Sequence, residues 1–322
     1  MARRSDDTVE TIGFLLVPGF ALMSYAAAVE PLRAANVISG RTLYRWVAIT
    51  VDGRPATSSA GAIVPSDTQV GDRIDLDMLI VCAAGNPAEF RDRATFAWLR
   101  SLARKGLRIA GVSGGPYLLA RAGLMQGRRM TVHWEHAPAL AESHPDLLLT
   151  RSLYVIDGDR LTCAGGIAPL DMMHALIAER MGEAFARRVS DWFLHTDIRP
   201  PGGAQRASLI ERYGVFSRQL VSALEFMEGH IGETASRAAV ARHAGISTRQ
   251  LDRLFRTHMQ TTFAEHYRAI RLERARDLLV QTTLPVTEVA LAAGFASASH
   301  FSRLYSAAFG HAPSRERTSG IS

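Results

Sequence analysis

Short apolar runs rich in β-branched residues recur along the first 195 positions of the chain, and stretches with helical spacing separate them. Ile12-Gly13-Phe14-Leu15-Leu16-Val17 reads as a strand buried on both faces, and it stops at Pro18-Gly19. Helical spacing follows over 25–38, strands over 46–51 and 78–82, and a helix over 90–104. Arg108-Ile109-Ala110-Gly111-Val112 is a strand that runs straight into Ser113-Gly114-Gly115 and another helix. Further strands fit 130–133, 153–156 and 160–163, and helices fit 169–181 and 183–195. Apolar strands alternating with helices predict a mostly parallel sheet covered on both faces, an α/β flavodoxin-like sandwich.

Pro200-Pro201-Gly202-Gly203-Ala204-Gln205 interrupts this pattern. Past Ser208 the chain reads as helix and short turn. The expected division is an α/β domain over 8–198, a linker over 199–212 and an all-α domain over 213–318. The last part contains a repeat. Its first copy is Val240-Ala241-Arg242-His243-Ala244-Gly245-Ile246-Ser247 followed by Leu251-Asp252-Arg253-Leu254-Phe255. The second is Val289-Ala290-Leu291-Ala292-Ala293-Gly294-Phe295-Ala296 followed by Phe301-Ser302-Arg303-Leu304-Tyr305. Each is a small-residue helix, a glycine turn and a second amphipathic helix, the pattern of a helix-turn-helix unit.

The faces of the second helices carry the chemistry. Leu251, Leu254 and Phe255 share one face, with Arg249, Arg253 and Arg256 opposite. Ser247 with Gln250 fits a capping box that fixes the start of the helix, with Thr248 in its first turn. In the second copy Phe301, Leu304, Tyr305 and Ala308 form the inward face, while Ser299, His300, Arg303 and Ser306 point outward. Guanidinium groups can read guanine edges or hold phosphate, and Ser, Gln and His make adaptable contacts, so both faces suit a major groove. A helix over 263–280, apolar on two sides, bridges the copies.

Charge sharpens this picture. Of the net +6, the residues from 201 onward carry +5, with 15 Arg and no Lys against 10 Asp plus Glu. A basic C-terminal third implies a polyanion partner, with double-stranded DNA favoured over an RNA-binding or architectural role by the repeat. Apolar residues make up 47% and charged residues 21%, which excludes a disordered or disulfide-framework chain. No window approaches eighteen uncharged apolar residues, and Met1-Ala2-Arg3-Arg4-Ser5-Asp6-Asp7 precedes no apolar signal segment. A cytoplasmic protein with no membrane partner is expected, and Cys82 and Cys163 read as buried thiols.

Gly111-Val112-Ser113-Gly114-Gly115 matches G-x-S-x-G, with a strand leading in and a helix leading out. A hydrolase would need a base, and His133, His174 and His195 are the candidates. The non-catalytic reading makes the same turn a binding elbow, with amides after Ser113 facing an anion. Trp134 can face a cation that Glu135 or Glu30 neutralises. Together with Ser113, Gly114 and His133 they suit a small zwitterion. Against these stand plainer roles: Glu30 paired with Arg33, Trp134 and His133 packed in the core. His133-Trp134-Glu135-His136 lacks the spacing of a helical zinc site, and no phosphate-binding glycine loop follows a strand, so neither metal nor cofactor is expected.

Two resemblances follow from these residues. The Ala244-Gly245 and Ala293-Gly294-Phe295 turns, Arg271-Leu272-Glu273-Arg274-Ala275, Ser299-His300-Phe301-Ser302-Arg303 and Phe309-Gly310-His311-Ala312-Pro313 make the C-terminal third resemble AraC/XylS-type transcription regulators. One departure is Ala296, where a capping Ser is common; Ser297 is the alternative cap. Val17-Pro18-Gly19-Phe20, Glu30-Pro31-Leu32-Arg33, the elbow, Thr131-Val132-His133-Trp134-Glu135 and Ala164-Gly165-Gly166 with Asp171 resemble the PfpI-like, class I glutamine amidotransferase-like fold. Enzymes of that superfamily carry cysteine where this chain has Ser113, which points to a lost chemistry and a retained site. The combined resemblance implies a regulator, by family tendency an activator and a homodimer. Its α/β domain senses a small-molecule effector such as a betaine, carnitine or basic amino acid. RNA polymerase is a further partner such a regulator would meet. The alternative is a bifunctional protein with a Ser113-dependent hydrolase or amidase activity.

Overall fold

The structure is a computed structural model that describes residues 8–233 and 235–319. It divides into two compact units, one ending at Gln205 and the other beginning at Arg206. In the first unit the strands are β1 (Glu10–Leu16), β2 (Tyr44–Thr50), β3 (Ala56–Thr57), β4 (Ile63–Val64), β5 (Thr68–Gln69), β6 (Met78–Ala83), β7 (Arg108–Ser113), β8 (Arg129–Met130), β9 (Leu148–Leu149), β10 (Tyr154–Asp157) and β11 (Arg160–Cys163). Seven of them form one sheet in the order β10-β11-β7-β6-β1-β2-β5. Every pair in it is parallel except β10 against β11.

Burial explains the parallel order. Phe14, Leu15 and Leu16 of β1 are buried without alternation, as are all six residues of β6, so these strands have no solvent face. The covering helices are α1 (Leu22–Ser39), α2 (Arg93–Arg104), α3 (Gly115–Arg121), α4 (Ala137–Ser143), α5 (Ala168–Met181) and α6 (Glu183–Trp192). Phe14, Phe20, Leu32, Ile80, Val112 and Met172 meet in one core, each contributing about 1.5–3 kcal/mol by burial. Cys82 and Cys163 are free thiols inside it, and burial pushes Cys163 up to about 12.

One expected strand is mostly absent. Of 130–133 only Met130 belongs to a strand, and β8 pairs with β9 outside the main sheet. The physical reason lies in side chains. Thr131 donates its amide to Thr162 Oγ1 at 3.0 Å and its hydroxyl to the Ser152 carbonyl at 2.7 Å, so side chains replace a backbone ladder there. His133 then opens a turn, accepting from the amides of His136 and Ala137.

The second unit is helical: α7 (Leu209–Tyr213), α8 (Arg218–Gly229), α9 (Arg237–His243), α10 (Thr248–Met259), α11 (Phe263–Gln281), α12 (Val286–Ala292), α13 (Ala298–Phe309) and α14 (Pro313–Ser319). Leu220, Leu224, Val240, Leu251, Phe255, Phe263 and Tyr267 form the core around the first repeat. The bridging helix α11 buries Leu272, Ala275, Leu278 and Leu279 as well, so two sides of it are covered. Ala308, expected on the inward face of α13, is exposed. That face is narrower than a full stripe, because Phe301 and Tyr305 alone on α13 are buried.

Candidate functional site

The second helix of each repeat starts at a side-chain cap. Ser247 and Gln250 form a reciprocal capping box at α10, the Ser247 hydroxyl accepting from the Gln250 amide at 3.2 Å and Gln250 Oε1 from the Ser247 amide at 2.9 Å. At α13 the cap falls on Ser297, which accepts from the His300 amide. Arg249, Gln250, Arg253 and Arg256 are exposed on α10, with Thr248 half-buried beside them, and Ser299, His300 and Arg303 are exposed on α13. Among these arginines no ion pair to a carboxylate is present within the described residues. Leu251 and Phe255 on one helix, and Phe301 and Tyr305 on the other, face inward and set the roll that turns the polar faces out.

The elbow lies at the carboxyl edge of the sheet, where open parallel sheets bind ligands. Ser113 ends β7 with φ 58°, the left-handed conformation of a sharp strand-to-helix turn. The chain crowds it: a Cβ on Gly165 would stand 2.7 Å from the Ser113 Cβ and 3.0 Å from Ser24 Oγ. Ser24, on α1, is thus the neighbour that the sequence did not single out. Its hydroxyl is buried and has no hydrogen-bond partner within the described residues. No local pattern announced it, because the contact joins positions 24, 113 and 165.

The glycines after Ser113 serve packing. The Gly114 amide, expected to face an anion, donates to the Ala83 carbonyl at 2.9 Å. A Cβ on Gly115 would sit 2.1 Å from the Val81 carbonyl oxygen, so α3 packs flush on β6. Glu30 is likewise engaged, holding the Arg33 guanidinium at 2.6 Å on its own helix, six positions beyond Ser24. Trp134 is 40% exposed, and its ring stands 5.3 Å from that of His133. Glu135 Oε2 lies 3.6 Å from His133 Nδ1. Burial, with His136 adding to it, holds the His133 imidazole below its ordinary value, which keeps it neutral near pH 7.

The candidate bases lie in other networks. His174 bonds Ser190 at 2.9 Å and Glu183 at 3.2 Å. His195 Nε2 is 2.7 Å from Asp171 Oδ1. No hydrogen bond joins Ser113 to any of the three histidines within the described residues. Asp171 is fully buried and also receives the Arg199 amide and guanidinium, at 2.9, 3.0 and 2.6 Å. That network ties the segment after α6 to the sheet domain. Farther along, Pro201 accepts from the Leu153 amide, and Gln205 Nε2 reaches Thr131 Oγ1, Val132 O and Ser152 O at 3.0, 3.2 and 2.7 Å.

The DJ-1/PfpI family matches residues 11–179, and a helix-turn-helix domain matches residues 240–319. The HTH-type transcriptional regulator GlxA of Rhizobium meliloti is 49% identical over 323 residues, 99% of this chain and 100% of that protein. The HTH-type transcriptional regulator CdhR of Pseudomonas aeruginosa is 43% identical over 304 residues, 94% of this chain and 90% of that one. This chain belongs to the AraC-type transcription regulators that carry a DJ-1/PfpI domain. The fold of this AraC-type regulator agrees with a solved AraC family transcriptional regulator from Pseudomonas putida, 23% identical with a TM-score of 0.51 over 57% of this chain and 99% of that chain. A more distant relative, the isonitrile hydratase of Pseudomonas putida, is 29% identical over 181 residues, 55% of this chain and 75% of that enzyme. No helix among the described residues is long and apolar enough to cross a membrane.

Proposed function

We propose that this regulator reads promoter DNA through Arg249, Arg253 and Arg256 of α10 and His300 and Arg303 of α13, with Ser247, Thr248, Gln250, Ser297 and Ser299 at the helix starts. The observation that carries this is the pair of capped helices whose exposed arginines form no ion pair among the described residues. Arg253→Ala or Arg303→Ala costs about 1–3 kcal/mol on a duplex selected by the chain from random sequence, if each guanidinium reads a base. Titration of selected and scrambled duplexes at fixed salt measures it. An equal loss on both would reduce these residues to phosphate contacts.

The α/β domain, in this reading, senses a small cationic or zwitterionic metabolite without transforming it. Trp134 offers a partly exposed ring to the cation and Glu135 its countercharge, while a neutral His133 adds no repulsion. The hydroxyls of Ser113 and Ser24 remain for the polar end, with the Gly114 amide already engaged. The ligand favours one arrangement of the homodimer over another and acts only through that difference in affinity. A rise in thermal midpoint with glycine betaine, carnitine or arginine, lost in Trp134→Ala, supports it. No rise with any of the three leaves the domain as a dimerisation module.

A second reading, a hydrolase or amidase at Ser113, draws support from the distant hydratase. Saturable turnover abolished by Ser113→Ala would establish it. Among the described residues no histidine bonds Ser113, which favours the non-catalytic reading.

A further inference from the structure

Tyr267 and Arg271 stand one turn apart on the bridging helix α11, and each holds a different repeat. The Tyr267 hydroxyl donates to the His230 carbonyl at 2.7 Å and accepts from the Ala235 amide at 3.0 Å. Those residues form the approach to α9, the first helix of the first repeat. Arg271 reaches the other way. Its Nε donates to the Ala293 carbonyl at 2.9 Å and its Nη2 to the Gly294 carbonyl, so it grips the turn between α12 and α13. The guanidinium lies 4.2 Å from the centre of the Phe295 ring and 5.6 Å from that of Tyr267.

The second repeat also touches the approach to the first at this point. A Cβ on Gly294 would come within 2.4 Å of the Ile231 carbonyl oxygen, and one on Gly232 within 3.2 Å of the Ala292 oxygen. Only glycine lets the turn of one repeat lie against the approach to the other. From Phe295 the contact continues to Phe301 at 5.2 Å, and Phe301 is the buried anchor of α13. The guanidinium is therefore connected, through one ring, to the residue that fixes the roll of the second reading helix.

We propose that Tyr267 and Arg271 form a clamp that holds the two reading helices at one mutual separation and angle, so that this regulator accepts a single spacing between its two half-sites. Arg271 is a positioning residue: it touches no DNA and acts through the turn 293–295. The inference rests on the reading that both α10 and α13 enter grooves. One inserted base pair turns the second half-site by about 34° and moves it about 3.4 Å along the axis, since a helical turn takes about 10.5 base pairs over about 36 Å. A rigid pair of helices cannot follow that change, and a loosened pair can.

The test uses the full chain and a duplex it selects from random sequence, with derivatives carrying one or five extra base pairs between the half-sites. Fluorescence anisotropy at fixed salt gives the ratio of affinities for native and altered spacing. For the wild type, one insertion lowers affinity by about tenfold or more, the loss expected when one half-site's base contacts are forfeited. In Arg271→Met, which keeps an apolar stem over Phe295 but lacks the donors, the ratio falls below about threefold. Arg271→Lys restores part of the discrimination. Arg253→Ala, which changes a reading residue, lowers affinity and leaves the spacing ratio near the wild-type value. If Arg271→Met unfolds, Phe295→Leu removes the stacked ring and serves in its place. An unchanged ratio in the Arg271 and Phe295 variants overturns the clamp alone. A wild type indifferent to spacing overturns the clamp and the two-helix reading together.

Discussion

Ser113 carries a left-handed backbone, φ 58°, on a residue with a side chain. That conformation costs about 1–2 kcal/mol for a non-glycine residue, and a glycine there would lose about 0.4–1 kcal/mol more chain entropy on folding. The balance favours glycine, so Ser113→Gly is expected to raise stability by about 0.5–1 kcal/mol in urea denaturation. If the Ser113 hydroxyl serves the proposed sensor, the same variant loses its response to effector while gaining stability. Some of this neighbourhood was legible beforehand. The G-x-S-x-G spacing located the strand, the turn and the helix, and the three-residue interval between Glu30 and Arg33 already suggested their pairing. The partner of the Gly114 amide was not legible, because Ala83 lies on another strand and only sheet register brings it there. Ser24 was missed because only the packing of α1 beside the sheet brings it to the elbow.

At the level of elements, the tail helix α14 is fastened by one carboxylate. Glu316 is buried and accepts from the Tyr305 hydroxyl on α13 at 2.6 Å and from Arg276 Nε on α11 at 2.9 Å, with His311 Nε2 at 3.2 Å. Burial pushes the carboxyl up, but hydrogen bonds from Tyr305 and Arg276 outweigh it and hold Glu316 below its ordinary value. Its folded value is therefore depressed. The stability it contributes is present above the ordinary carboxylate range near 4.5 and is lost as pH falls through the folded value. Glu316→Ala is expected to cost about 1–3 kcal/mol at pH 7, and less in acid, by guanidinium denaturation at each pH. The helices were the clearest part of the sequence, since capping residues and 3.6-residue spacing are local signals. Ser247 with Gln250 marked one start and Ser297 was already the alternative cap for the other. The segment 130–133 misled because its apolar residues have strand spacing while the hydroxyls of Thr131 and Thr162 decide its bonding.

For the whole molecule, the decisive feature is how the sheet domain ends. Proline and glycine marked the break after position 199 in the sequence, yet residues 199–205 are bonded to that domain through Arg199, Pro201 and Gln205. Composition revealed a change of structure there and could not reveal where the segment packs. Gln205 sits against Thr131 and Val132, immediately before the His133-Trp134-Glu135 turn. Asp171 anchors the start of the same segment. Asp171→Ala removes the buried acceptor of the part-exposed Arg199 and His195 side chains and is expected to cost about 1–3 kcal/mol in urea denaturation. An α/β fragment stopped at residue 192 would enclose Asp171 without Arg199 or His195 and is expected to precipitate on expression. One allowed to run through Gln205 carries its own counter-ion and should melt like the intact protein.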